Sequence, residues 1–241
     1  MSYLPYISDA DLTREVKQLL NVAQDGVARA IASAGRNKLD PFSALFEMAG
    51  FGISHAEWQS AEQTRQAQKT LSNEIGQFHQ NILGCVPGWQ NLYKGSVVDL
   101  VNPTRKLIAE VKNKYNTVKG SDKISIYDTL DRAVATKGHE HFGFTAYYVE
   151  IIPSSKKGYD KPFTPSDNKK GDTRKENERI RVIDGRSFYA LATGHQNALE
   201  ALHQVLPTVI EKCSAAKYKF ADRHITGAIF AAAFGANAAN K

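Results

Sequence analysis

The sequence predicts a mixed α/β fold, in which helices flank a central mixed β-sheet. Three observations lead to this fold class. Apolar residues recur every three or four positions through the first third of the 241-residue chain. Short β-branched and aromatic runs follow, and helical spacing returns towards the end of the chain. In the middle, a strand, a helix and a second strand are typical of a parallel crossover unit.

Helices are predicted at both ends of the chain. Asp40 and Pro41 open a short one, because Asp caps helices and Pro favours the first helical position. The third helix carries an apolar stripe that includes Ile75 and Phe78. The predicted helices are about 12–35, a short helix that begins at 41, 57–83, 196–213 and 222–235.

Strands are predicted between these helical regions. The predicted segments are a strand over 96–101, a returning strand over 106–112, a helix over about 120–138 and a strand over 142–152. Asn102 and Pro103 begin the turn between the first two strands, since these residue types favour the first two positions of a turn. Residues 181–193 are predicted to form a strand, or a hairpin around Asp184 and Gly185.

Composition is that of an ordinary globular protein, with 42% hydrophobic and 23% charged residues. We predict one domain, 1–241, with a core over about 57–152, a basic insertion over 153–179 and a C-terminal strand and helices over 180–241. The two cysteines form no disulfide framework and suit a reducing compartment. We find no signal peptide or membrane-spanning run, and therefore expect a cytoplasmic protein.

The net charge of +6 favours a polyanionic partner such as nucleic acid. Basic residues concentrate in the insertion, which would either clamp a duplex or form a solvated loop. The residues predicted to contact DNA are Lys156, Lys157, Lys169, Lys170, Arg174 and Arg181, together with Asn113 and Lys114 beyond the strand over 106–112. For Asn113 and Lys114, a solvated strand end is the alternative.

The pattern of an acid, any residue and Lys occurs three times, at Glu15-Val-Lys17, Asp167-Asn-Lys169 and Glu110-Val-Lys112. The first copy lies on a predicted helix, where positions two apart face different directions. The second lies in a polar loop. Only Glu110 and Lys112 lie on a predicted buried strand, where residues two apart share a face.

The turn determines where Asp99 lies. If Asn102 pairs with Arg105, Asp99 lies opposite Ile108 and diagonally from Glu110, with Cα atoms roughly 7–8 Å apart. The two carboxylates then lie on the same face. A slip of one residue would move Asp99 to the opposite face.

Two carboxylates on one sheet face are costly unless a cation pairs with them. Their oxygens suit Mg²⁺, and the carbonyl of Val111 is a further candidate ligand. Lys112 would bond the attacking water or offset negative charge on the phosphate. A solvated salt-bridge cluster is the alternative interpretation.

The segments Gly95-Ser-Val-Val-Asp99 and Ile108-Ala-Glu110-Val-Lys112-Asn-Lys114 resemble the PD-(D/E)xK nuclease core. In that superfamily a helix precedes an antiparallel hairpin, and a helix and a parallel strand follow. The chain resembles type II restriction endonucleases, in particular a subfamily that cuts GGNCC sites. The resemblance implies a restriction-endonuclease-like core with helical additions, Asp99 and Glu110 as Mg²⁺ ligands and Lys112 as the catalytic lysine.

One residue departs from the pattern, since Val98 stands where many members have Pro before the acid. Many such nucleases also use an acid from the helix before the hairpin, and Glu74 is the candidate here. A solvated helix charge is the alternative interpretation of Glu74.

We therefore expect a Mg²⁺-dependent, sequence-specific endonuclease that hydrolyses both strands of double-stranded DNA. A homodimer is expected because a palindromic site requires two matched active sites. A cognate DNA methyltransferase would be the genetic partner. The alternatives are a structure-selective or repair nuclease of the same superfamily and a non-catalytic nucleic-acid-binding protein.

Overall fold

The computed structural model describes residues 2–33, 39–93, 96–167, 171–214, 218–220 and 223–235. The helices in this part are α1 (Asp9–Ser33), α2 (Pro41–Phe51), α3 (His55–Gly84), α4 (Gly120–Ala135), α5 (Gly185–Thr193), α6 (Ala198–Cys213) and α7 (Arg223–Phe234). The strands are β1 (Gln90–Asn91), β2 (Leu100–Asn102), β3 (Leu107–Lys114), β4 (Thr145–Ile152), β5 (Asp160–Pro162), β6 (Ser166–Asp167), β7 (Asp172–Thr173) and β8 (Ile180–Asp184). None of the described helices is long and apolar enough to cross a membrane.

A mixed sheet of six strands lies at the centre, in the order β1-β2-β3-β4-β8-β5. Strand β2 runs antiparallel to both β1 and β3, whereas β3, β4 and β8 run parallel to one another. The edge strand β5 is antiparallel to β8. The order α3, β2, β3, α4, β4 is the helix, hairpin, helix and parallel strand expected of the nuclease core. The mixed α/β fold class is therefore confirmed.

Side chains of β3 alternate between two apolar layers. Ala109 and Val111 pack with buried residues of α1, α3, α5 and α6 on one face. Ile108 packs on the other face with α4, through residues such as Leu130. Because alternate residues share a face, Glu110 and Lys112 lie on the same face as Ile108. We call this side of the sheet the α4 face.

Two predicted segments are wrong in part. The strand predicted over 96–101 is a series of bends over 96–99, and only Leu100–Asn102 forms a strand. The backbone N–H of Leu92 donates to the carbonyl of Asp99, and this loop contact holds the bends beside β1. Lys94 and Gly95 lie outside the described residues.

The segment 181–193 contains a strand followed by a helix, and Asp184-Gly185 is no hairpin turn. Asp184 is 2% exposed and caps α5, since its carboxylate accepts from the Ser187 N–H at 3.1 Å and the Ser187 hydroxyl at 2.6 Å. A Cβ on Gly185 would lie 2.2 Å from the carbonyl oxygen of Ile151. Glycine is thus required here because the helix begins directly against β4.

Candidate active site

The turn between β2 and β3 contains four residues, 103–106, rather than the two that were predicted. Asn102 pairs with Leu107, and Val101 pairs with Ile108. The predicted pairing of Asn102 with Arg105 is therefore wrong by two residues. The Asn102 side chain accepts from the Arg105 N–H at 3.0 Å, and this bond closes the wider turn. A shift of two residues leaves every side chain on its predicted face.

Asp99 lies where the ladder of β2 and β3 ends. Its N–H donates to the carbonyl of Ala109 at 3.0 Å, so the observed register continues to bring Asp99 opposite Glu110 rather than Ile108. One carboxylate oxygen, Oδ2, accepts from the N–H of Val111 at 2.7 Å. The carboxylate thus replaces a backbone partner at the end of the hairpin, on the α4 face.

Glu110 and Lys112 form an ion pair on this face, with 2.6 Å between Oε1 and Nζ. The two side chains are 18% and 28% exposed, so water and ligands can reach them. Beside Glu110, a cavity of about 250 Å³ opens between the bends and α4. Its lining comprises Val97, Glu110, Ser125, Ile126, Thr129 and Leu130.

The electrostatics of the acid pair fit a bound cation. Burial and then the negative charge of Glu110 raise the pKa of Asp99 to about 6, although the Val111 N–H and Lys112 act in the opposite direction. A cation would remove the repulsion that contributes to this shift. The N–H and carbonyl of a strand residue point the same way, so the Val111 carbonyl is also directed towards the Asp99 side.

The protein oxygens here suit an ion that retains several waters. Among the described residues, no three acidic, histidine or cysteine side chains converge on one point. Mg²⁺ typically binds one or two carboxylates and completes its shell with water and phosphate oxygens. The donors of Asp99, Glu110 and Val111 therefore fit a hard divalent cation.

Glu74 is not brought to this site. It lines a narrow crevice between α1 and α3 together with Glu15 and Gln18. Because α3 packs on the sheet face opposite to α4, this crevice lies on the far side of the sheet from Glu110. A third acid from Glu74 is therefore not supported.

One acid beside the site was missed by the sequence reasoning. Glu150 of β4 pairs with Lys112 of β3, so both lie on the α4 face. It is 5% exposed and accepts from Lys123 Nζ at 2.7 Å and from the Tyr159 hydroxyl at 2.6 Å. A single acid within the apolar strand Thr145–Ile152 was the available signal, since buried strands rarely carry unpaired charge.

Next to Glu150 lies a cavity of about 520 Å³, which we call the lysine pocket. Its lining includes Lys123, Lys157, Lys161, Glu150, Ser154 and Ser155. Lys123 is paired with Glu150, whereas Lys157 and Lys161 are exposed and have no ion-pair partner among the described residues. The pocket continues the α4 face from Lys112 towards β8 and β5.

The residues predicted to contact DNA are placed differently from one another. Lys156 and Lys157 are exposed. Lys169 and Lys170 lie outside the described residues. The other predicted cations, Arg174 and Arg181, form internal ion pairs, because Arg174 bonds both oxygens of Asp128 and Arg181 bonds Asp160 and Glu178.

Asn113 and Lys114 end β3. Asn113 follows Val111 onto the face opposite to the acids, where it lines an apolar cavity of about 450 Å³. Lys114 is exposed at the end of the strand. Of these two residues, Asn113 is therefore turned away from the Asp99 carboxylate.

Comparison with known proteins now identifies the family. The family model described as Eco47II restriction endonuclease matches residues 4–214. The chain belongs to this family. It is 48% identical over 211 residues to the type II restriction enzyme Eco47II of Escherichia coli, covering 88% of each chain. It is 27% identical over 215 residues to the type II restriction enzyme Sau96I of Staphylococcus aureus, covering 87% of this chain and 80% of that one.

Membership of the Eco47II family confirms the predicted restriction enzyme. The chain is a sequence-specific DNA endonuclease, that is, a type II site-specific deoxyribonuclease of a restriction-modification system. Its substrate is double-stranded DNA, and the family implies the use of a divalent metal ion. The two alternatives, a repair nuclease and a non-catalytic binder, are therefore set aside.

Proposed function

We propose that Asp99, Glu110 and the Val111 carbonyl hold a Mg²⁺ ion and that Lys112 is the catalytic lysine for phosphodiester hydrolysis by water. A bound Mg²⁺ would supply a Lewis acid and lower the pKa of a coordinated water. The single observation that supports the assignment is the hydrogen bond from the Val111 N–H to the Asp99 carboxylate. This bond holds Asp99 opposite Glu110 at the end of the hairpin. It gives the α4 face two carboxylates that repel each other without a cation.

Lys112 has two states in this proposal. Without substrate its ammonium pairs with Glu110 at 2.6 Å. With DNA bound beside Glu110, the same ammonium would hydrogen-bond the attacking water or offset the negative charge on the phosphate. A partly exposed lysine on a rigid strand suits both states, since the strand fixes its Cα while the side chain moves.

The lysine pocket supplies contacts to the DNA backbone in this proposal. Lys157 and Lys161 lie on the α4 face, as Lys112 does, and neither is neutralised by a described acid. Ammonium groups bind phosphates without reading the sequence. We therefore assign Lys157 and Lys161 to the phosphates that flank the cleaved bond.

We further propose that the enzyme acts as a homodimer, because two strands of a palindromic site require two matched active sites. Residues 1–241 would form a single nuclease domain. A cognate DNA methyltransferase would protect the host site, and we place the enzyme in the cytoplasm, where its substrate lies. GGNCC is the recognition sequence to be tested.

Plasmid cleavage tests the assignment of the acid and the lysine. We expect discrete fragments with Mg²⁺ and intact plasmid with EDTA, and sequencing of the fragment ends would test GGNCC. Asp99→Asn and Lys112→Ala should each lower the single-turnover rate at least about 100-fold, because each removes a group that stabilises the transition state. Full activity in either variant, with unchanged circular dichroism, would refute the assignment.

Lys17→Ala provides the matched control for Lys112→Ala. Lys17 belongs to the same acid-X-Lys pattern, but it is exposed on α1 and should leave cleavage intact. Glu15 is a poorer control, because it is buried and accepts from the Asn81 side chain at 2.7 Å. A loss of cleavage in Lys17→Ala without unfolding would show that the wrong copy of the pattern was chosen.

A further inference from the structure

The helix α2 presents its apolar side to solvent. Phe42, Leu45 and Phe46 occur at helical spacing and are 72%, 63% and 79% exposed. Phe51, at the end of the helix, is 72% exposed. A monomeric protein rarely leaves so many large apolar side chains together in water, so this outward face of α2 indicates an interaction surface.

Specific bonds fix the orientation of α2. The carboxylate of Glu47 accepts from the Ser43 hydroxyl at 2.7 Å and from the Trp58 indole N–H at 2.8 Å. The Trp58 ring is buried at the start of α3, and Asp40 caps α2 at its other end. The polar side of the helix is therefore held against α3, and the apolar side is held outward.

Two long helices carry α2 away from the core. We define the arm as residues 21–33 of α1, the whole of α2 and residues 55–70 of α3. The two long helices are antiparallel, since Gly26 packs against Ala67 while Arg14 contacts Cys85. Only Gly26 and Trp58 are buried among the arm residues whose exposure the structure describes.

Charge decides which partner fits this surface. The arm contains four acids and three bases, a net charge of −1 in a chain whose net charge is +6. It therefore lacks the excess of Lys and Arg with which proteins bind DNA phosphates and anionic lipid headgroups. An apolar patch without such a basic surround instead suits a protein partner.

We propose that the outward face of α2 is the homodimer interface, in which the helix packs against α2 of a second copy. This inference rests on the proposed function, which requires two matched active sites. Burying Phe42, Leu45, Phe46 and Phe51 would remove roughly 500 Å² per chain, and two copies would reach the roughly 1,000 Å² of a specific interface. A two-fold axis allows the same residues to meet in both copies.

The position of the arm is compatible with catalysis by the dimer. The part of α3 that packs on the sheet does so through Phe78, Ile82 and Leu83, on the face opposite to the α4 face. An interface on the arm therefore leaves Glu110 and the lysine pocket free for DNA.

Mass measurement in solution tests the interface without DNA or metal. Light scattering and sedimentation of the full chain at micromolar concentration should give a dimer for the unchanged protein. The double variant Phe42→Glu and Phe46→Glu should be monomeric, with a dimer dissociation constant raised at least about 100-fold, because aromatic anchors dominate interface energy. Both positions are exposed in the monomer, so circular dichroism should be unchanged.

Ile229→Glu is the matched control, since Ile229 is 63% exposed but lies on α7. It should remain dimeric. A dimeric double variant would overturn the proposal. A monomeric unchanged protein would also overturn it, and sedimentation of that monomer with phosphatidylglycerol vesicles would assign the patch to a lipid surface instead. Asp99→Asn should stay dimeric while it is inactive, so failure of the interface and failure of the catalytic assignment are separate results.

Discussion

Asp99 is the residue at which function and stability oppose each other. Burial and the charge of Glu110 raise its pKa to about 6 in the folded, metal-free protein, against about 3.9 in an unfolded chain. Folding therefore favours the protonated acid. The stability that follows is fully present below about pH 4 and is lost as the pH rises to about 6.

At pH 7.5 and without metal, the ionised Asp99 thus lowers the free energy of unfolding, by on the order of 1–3 kcal/mol. Asp99→Asn removes the charge and keeps an oxygen that can accept from Val111. We expect the variant to melt higher than the unchanged protein in EDTA, by about 2–4 °C per kcal/mol, with a difference that disappears near pH 4. Thermal melts between pH 4 and 8 measure this.

Added Mg²⁺ should raise the melting temperature of the unchanged protein, because a ligand that binds only the folded state stabilises it. It should do so much less for Asp99→Asn. Asp25→Asn is the control, since Asp25 forms only an exposed ion pair on α1 and its loss should change little. An Asp99→Asn variant that melts lower than the unchanged protein at pH 7.5 in EDTA would contradict the argument.

The candidate site was predictable at this scale because strands have a period of two. The turn is two residues longer than predicted, yet Asp99 remained on the face of Glu110, since an even shift preserves the side on which a residue lies. The apolar strand around Glu150 indicates only that its charge needs a partner, because its nearness to Lys112 depends on how β3 and β4 are aligned. That alignment is a contact between two strands that α4 separates in the sequence, so no local pattern reveals it.

Among the elements, the junction of β8 and α5 shows best why local patterns fail. Asp-Gly is a strong hairpin signal, but the same pair also suits a helix start, where Asp caps and Gly permits close approach. The N–H of Tyr159 donates to Asp184 at 2.7 Å, so the cap also ties down the insertion. Tertiary contacts therefore decided between two structures that the dipeptide allows equally.

This junction gives a test of stability. Gly185→Ala should destabilise the fold by about 3 kcal/mol or more, because the new Cβ would lie 2.2 Å from the carbonyl oxygen of Ile151 and the backbone of β4 would have to move. Urea denaturation measures the loss as a lower midpoint.

Gly227→Ala is the matched helix substitution. Nothing lies within 4 Å of a Cβ at Gly227, so alanine should stabilise α7 by up to about 1 kcal/mol through its helix propensity. Equal midpoints for Gly185→Ala and Gly227→Ala would mean that the contact between α5 and β4 is looser than the geometry implies.

At the scale of the whole molecule, the two faces of the sheet carry different chemistry. The acids, Lys112 and the lysine pocket share the α4 face, whereas the apolar arm extends from helices on the opposite face. The net charge alone indicated a polyanionic partner but not where it binds. Arg174 and Arg181 show why, since composition cannot reveal that acids of the same chain already pair with them.

A salt titration tests whether DNA binds on the α4 face. Each phosphate that a protein cation neutralises contributes about 0.9 to the slope of log affinity against log salt. Replacing both Lys157 and Lys161 by alanine should therefore reduce the slope by about 2, and it should weaken cognate and random duplexes alike, since phosphate contacts do not read bases.

Fluorescence anisotropy with a labelled duplex in EDTA measures the slope while cleavage is prevented. Removing the same number of charges elsewhere, by Lys17→Ala and Lys69→Ala in α1 and α3, should leave the slope unchanged, because those side chains lie with the helices on the opposite face. If the control pair reduced the slope and the pocket pair did not, the DNA would lie on the helical side of the sheet, and the acid pair would lose its assignment to the cleaved phosphate.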